Sequence, residues 1–130
     1  MKKTDNPEPL LPVPLQQGDT IGLFCPAGPI RDPARVDAGI DVLLEMGFRV
    51  CGRSALIACK DSSIYLAGPD TTRAEQLHGL WAAEEVKALM AVRGGYGCLR
   101  MLGCLEFSRF QTHPKWLIGF SDLTALLAAT

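Results

Sequence analysis

Three short apolar runs, "DTIGLFC" at 19–25, "VKALMAV" at 86–92 and "KWLIG" at 115–119, run abruptly into proline or glycine, and each precedes a stretch with helical spacing. Continuous apolar character over so short a length marks a strand covered on both faces, and the glycines and prolines mark the loop that follows. A fourth segment, "FRVCG" at 48–52, reads as another short strand. Between the first two strands, Asp32 is placed to cap a helix with Pro33 at its first position, Val36, Ile40, Leu43 and Leu44 share a face, and Gly47 ends it. Thr72 and Glu75 form a capping-box pattern at the head of "TTRAEQLHGLWAA", where Leu77, Leu80 and Trp81 share a face. "RSALIACKDSSIYLAGPD" has mixed polarity and reads mostly as loop, "CLRML" as a short helix, and a last helix starts near Asp122. Strands alternating with helices predict an open, mostly parallel α/β sheet with flanking helices, flavodoxin-like or Rossmann-like. In such sheets ligands bind beyond the carboxyl ends of the strands, where "CPAGP", "RGGYG" and "FSD" fall.

The 130 residues suit one domain with a real core. The first 17, holding four of the nine prolines, read as an extended lead-in to a domain over 18–130. Thirteen basic and 14 acidic residues give a net charge of -1 with no basic stripe, which argues against a nucleic-acid partner. No apolar run approaches the roughly 20 residues of a membrane span, and prolines interrupt the N-terminal stretch where a signal peptide is apolar, so the expectation is a cytoplasmic protein without membrane attachment. Five cysteines without CxxC spacing suggest neither a disulfide framework nor a zinc site, and no metal is expected.

The junction Gly119-Phe120-Ser121 poses the chemical question. A serine on a tight strand-to-helix turn presents its hydroxyl above the sheet, with the following backbone N–H, here that of Asp122, aimed into the same space as an oxyanion donor. The helix dipole beyond it would favour negative charge there. The pattern is incomplete, because Leu123 stands where G-x-S-x-G has its second glycine. The competing reading is that Ser121 or Asp122 simply caps a helix. Gly94 and Gly95 at the end of a buried strand permit positive φ and close backbone approach, so Gly95 is a candidate second oxyanion donor, with a plain tight turn as the alternative.

"QQGDTIGLFCPAGPI", "GPDTTRAEQL" followed by "VKALMAVRGGYGCLRML", and "PKWLIGFSDLTALL" resemble, in order and spacing, the N-terminal domain of the LD-carboxypeptidases, serine peptidases that include the microcin C immunity hydrolases. The resemblance covers residues 15–130. It implies that Ser121, within Gly119, Phe120, Ser121, Asp122 and Thr124, is the nucleophile. It implies release of a terminal D-amino acid, typically the D-alanine of murein tetrapeptide during cell-wall recycling, by a serine paired with a glutamate and a histidine and without metal or organic cofactor. Those partners come from a C-terminal domain that these residues do not contain. Cys25-Pro26-Ala27 departs from the serine-rich "SPS" the family often carries after its first strand.

Neither histidine is well placed as a base. His78 lies inside a helix and reads as an ordinary surface or boundary residue, and His113 precedes the last strand, roughly 15 Å or more from Ser121. Arg93 is a candidate for a substrate carboxylate or a solvated loop residue, and Tyr96 a candidate pocket wall or sheet-edge cover. Cys25 ends a strand but precedes proline and reads as a packed thiol. The alternative function is a non-catalytic α/β module that binds a small anion at the Gly94-Gly95 loop, although "GGYGCLR" matches neither phosphate-loop pattern. A glutamine-amidotransferase-like domain would need cysteine at the elbow, where Ser121 stands. Together these readings predict an α/β domain that is inactive alone, works on a murein or related L,D-peptide, and self-associates through an apolar patch at the carboxyl ends of the strands.

Overall fold

The computed structural model describes residues 8–58 and 65–130. Four strands, β1 (Thr20–Phe24), β2 (Arg49–Cys51), β3 (Val86–Ala91) and β4 (Trp116–Ile118), form one sheet in the order β2-β1-β3-β4. All three pairings are parallel, with Ile21 opposite Val50 and Ala88, and Leu89 opposite Leu117. The expected open parallel α/β architecture is therefore the observed one.

The chain leaves β1 for β2 on one side and returns to β3 on the other. The carboxyl ends of β1 and β3 therefore flank the switch point, near which open α/β sheets bind ligands.

Helices cover both faces. Helix α1 (Pro33–Glu45) starts as its sequence predicts, with the Asp32 carboxylate accepting from the N–H groups of Ala34 and Arg35 and Pro33 in its first turn. Gly47, at φ +89, follows its end. Val36, Ile40 and Leu43 pack on the sheet, whereas Leu44 turns out to be exposed. On this face they meet Ile21, Leu23, Cys25 and Ala88, and Leu56 completes the cluster. Leu56 belongs to α2 (Arg53–Ala58), a helix in a stretch whose sequence reads as loop. The mixed polarity that led to that reading is what a one-sided helix shows, since Leu56 is buried while Arg53 and Ser54 are exposed. Residues 59–64 of that stretch, with Cys59, lie outside the described residues.

The other face is covered by α3 (Asp70–Ala82), α4 (Cys98–Met101) and α5 (Thr124–Leu127). Phe24, Leu77, Trp81, Leu89, Met101, Leu123 and Leu126 form its core, and each large apolar side chain buried there contributes roughly 1.5–3 kcal/mol. Gly22 lets α3 lie close, since a Cβ there would stand 2.9 Å from Leu80 Cδ2. Helix α3 begins two residues before the predicted capping box. Pro69, at φ -53 and ψ 149, is the N-cap, Thr72 makes no capping hydrogen bond, and the Asp70 carboxylate bonds Arg73 and Arg100.

Residues 8–17 contain no helix or strand, and Trp116 Nε1 donates to Val13 O at 2.9 Å across the amino end of β4. Among the described residues no helix is long and apolar enough to cross a membrane.

Candidate functional site

Beyond β4 the backbone runs extended through Phe120 (φ -151) and then reverses at Ser121, which adopts φ +60. Left-handed backbone costs a residue with a Cβ roughly 1–2 kcal/mol, and strain of this kind survives only where the surroundings impose it. Here they do. Gly119 is locked against Leu123, whose Cδ2 would be 2.3 Å from a Cβ at 119, and buried Leu123 fixes the turn from below. The amide of Thr124 donates to the carbonyls of Ser121 and Asp122. The turn continues as a 3-10 helix (Ser121–Leu123) into the four-residue α5, so the helix dipole expected behind the serine shrinks to that of a short segment.

The glycine loop lies against this turn. A Cβ on Gly94 would stand 2.8 Å from Ser121 Cβ and 3.1 Å from its Oγ. Gly95 is at φ +123, and a Cβ there would meet the backbone of Gly28 at 3.2 Å. Gly28 N donates to Gly94 O at 3.2 Å, joining the loops after β1 and β3. The Asp122 carboxylate accepts from Cys98 N at 2.7 Å and so ties the serine turn to the start of α4. The structure thus brings Ser121, Asp122, Gly94 and Gly95 together, and adds Gly28.

Arg93 Nη1 donates to Pro29 O at 2.6 Å, which commits one edge of its guanidinium to the neighbouring loop. Tyr96 is exposed on the rim, as are Leu99 and Phe120. Cys25 is fully buried, in keeping with a packed residue. Burial pushes the Cys98 thiol up to about 12, the Asp122 carboxylate adding to the shift and Arg73 opposing it, so Cys98 is a poor nucleophile.

Neither histidine reaches the serine turn. His78 proves to be buried rather than a surface residue: its Nε2 accepts from Glu106 N at 3.1 Å, and its ring lies 5.8 Å from Phe110. His113 is exposed at the amino end of β4, where it lines a cavity of about 920 Å³ with Val13, Lys87 and Lys115. That cavity lies at the opposite end of the strands from Ser121 and is not the candidate site. Among the described residues no cluster of three or more His, Cys, Asp or Glu side chains is placed to hold a metal ion.

The sequence reading passed over Arg73, which is 1% exposed beneath the loops and bonded to Gly68, Pro26, Gly97 and Asp70. Its signal was available: Arg73, Leu77 and Trp81 lie four residues apart, placing an arginine on a buried helical stripe.

The site is thus a left-handed serine turn pressed against a glycine loop beyond the carboxyl ends of an open parallel α/β sheet. The chain belongs to the LD-carboxypeptidase family, whose N-terminal domain matches residues 21–130. It is 39% identical over 118 residues to the probable murein peptide carboxypeptidase of Bacillus subtilis, covering 91% of this chain and 36% of that protein. Against the microcin C7 self-immunity protein MccF of Escherichia coli it is 34% identical over 122 residues, 92% of this chain and 35% of that one. A structure of MccF in complex with aspartyl sulfamoyl adenosine superposes with a TM-score of 0.85 at 31% identity, over 92% of this chain and 36% of the other. The chain thus spans about a third of the length of these relatives.

Proposed function

We propose that this chain is the nucleophile-bearing domain of a serine LD-carboxypeptidase that releases the terminal D-amino acid, D-alanine in the murein tetrapeptide, from an L,D-peptide in the cytoplasm. The observation that carries the reading is Ser121 at φ +60 directly after a parallel strand, with Gly94 kept bare beside its hydroxyl. Ser121 Oγ attacks the peptide carbonyl as the base takes its proton, the N–H groups of Asp122 and Gly95 receive the oxyanion, the C–N bond breaks as the base gives that proton to the departing amine of the D-amino acid, and water then hydrolyses the acyl-enzyme. Gly94, Tyr96 and the uncommitted edge of Arg93 line the approach. The base is a histidine oriented by a glutamate, both located in the part of the enzyme beyond the third matched here.

The relatives named murein peptide carboxypeptidases favour a murein peptide as substrate. The likeness to MccF bound to aspartyl sulfamoyl adenosine supports a second substrate class, an aminoacyl nucleotide. The test gives murein tetrapeptide and an aspartyl-adenylate analogue with a scissile bond to the complete enzyme carrying this domain, and follows products by mass spectrometry. Ser121→Ala is expected to abolish turnover with the fold intact, because a triad without its nucleophile loses several orders of magnitude in rate. Turnover near the wild-type rate in that variant would refute the assignment.

A further inference from the structure

We propose that Arg73 is the positioning residue that sets the spacing of the loops around Ser121. This rests on Ser121 being the reacting group.

Arg73 projects from the first turn of α3 into the space under the switch point, and its guanidinium serves three separate segments. Nε donates to Gly68 O at 3.0 Å, in the segment leading into α3. Nη1 donates both to Pro26 O, in the loop after β1, and to Gly97 O at 2.9 Å, in the loop after β3. Nη2 meets the Asp70 carboxylate, which also bonds Arg100. A planar fork with donors on fixed vectors holds carbonyls at fixed separations, whereas an ammonium group carries no such geometry.

The contacts lead straight to the serine. Pro26 is two residues from Gly28, whose N–H bonds Gly94 O, and Gly94 is the residue packed on Ser121. Gly97 precedes Cys98, whose N–H is held by the Asp122 carboxylate. Gly97 is at φ +134, and a Cβ there would lie 2.6 Å from Leu66 Cδ2 and 3.1 Å from Arg73 Nη1, so the loop closes tightly over both side chains. Arg73 thereby fixes both ends of the glycine loop relative to the serine turn. Burying a cation is costly even when it is paired, and an apolar side chain would fill the space with less desolvation. The arginine is therefore better explained by the geometry it imposes than by stability.

The test is amide NMR and hydrogen exchange on the 130-residue chain, comparing wild type with Arg73→Lys. The amides of Gly28 and Cys98, bonded to Gly94 O and the Asp122 carboxylate, are expected to exchange at least about tenfold faster and those of Gly95, Ser121 and Asp122 to shift, while those of Ile21 and Val50 in the sheet keep their protection. Unchanged site amides would overturn the proposal, and so would a uniform loss of protection across the sheet, which would make Arg73 a general core residue. Should Arg73→Lys fail to fold, Asp70→Asn, which keeps the guanidinium but removes its carboxylate partner, is read by the same two criteria. No catalysis enters these measurements, so failure of the proposed peptidase reading, seen with Ser121→Ala in the complete enzyme, is separable from failure here.

Discussion

Gly94 and Ser121 occupy touching positions with no room for a further carbon: a Cβ on Gly94 would lie 2.8 Å from Ser121 Cβ, closer than side-chain carbons pack. The end of β3 and the turn after β4 are thereby fitted to each other across the sheet. The serine is held from two sides, by its own left-handed backbone and by the glycine it rests on.

Gly94→Ala in the complete enzyme is accordingly expected to lower kcat about 100-fold, the scale on which a displacement near 1 Å acts on a reacting group. Overpacking costs about 1–3 kcal/mol, so folding survives in a protein of ordinary stability. Steady-state kinetics and thermal unfolding of the same preparation check both halves. A variant with lowered melting temperature and wild-type kcat would separate the glycine from the chemistry.

Cys98 gives a prediction about alkaline stability. Its thiol is raised from 9.0 to about 12 in the folded protein, by burial first and by the Asp122 carboxylate next. The folded state therefore keeps a proton that the unfolded state loses. The contribution is complete below pH 9 and is lost as pH rises towards 12, at no more than about 1.4 kcal/mol per pH unit. Urea unfolding of wild type and Cys98→Ala between pH 8 and 11 should show the wild type losing stability faster above pH 9. Parallel curves would mean that Cys98 does not hold its proton.

Most of the fold was legible because its signals are local. Apolar runs bounded by glycine and proline gave β1 and β3, and Asp32 with Pro33 marked the start of α1. The errors have a common cause, which is that tertiary partners outbid local patterns. Thr72 is a good capping residue, yet Pro69 and the pairing of Asp70 with Arg73 start α3 earlier. Helix α2 was hidden because only Leu56 among its described side chains is buried, too little for a visible period in six residues. At the site, the serine turn and glycine loop each had a bland local reading as cap and turn. Their juxtaposition, the left-handed backbone of Ser121 and the reach of Arg73 to Pro26 and Gly97 are long-range relations that no short window of sequence contains.

The 130-residue chain by itself is expected to release no measurable D-alanine from murein tetrapeptide. A serine hydroxyl is a weak nucleophile until a base within hydrogen-bond reach removes its proton. The sequence has two histidines. His78 is buried on α3 with Nε2 occupied by the amide of Glu106, and His113 is at the amino end of β4, with the length of the strand between it and the serine turn. The Asp122 carboxylate, the nearest acidic group in sequence, is engaged with Cys98 N and held away from general-base duty. Exposed Tyr96, Leu99 and Phe120 favour self-association. Light scattering is expected to show a dimer or larger species, and mass spectrometry of the incubated tetrapeptide no product above the buffer blank. Product formation that disappears in Ser121→Ala would show that a base exists within these residues and would overturn the argument, whereas a strictly monomeric solution state would remove only the association.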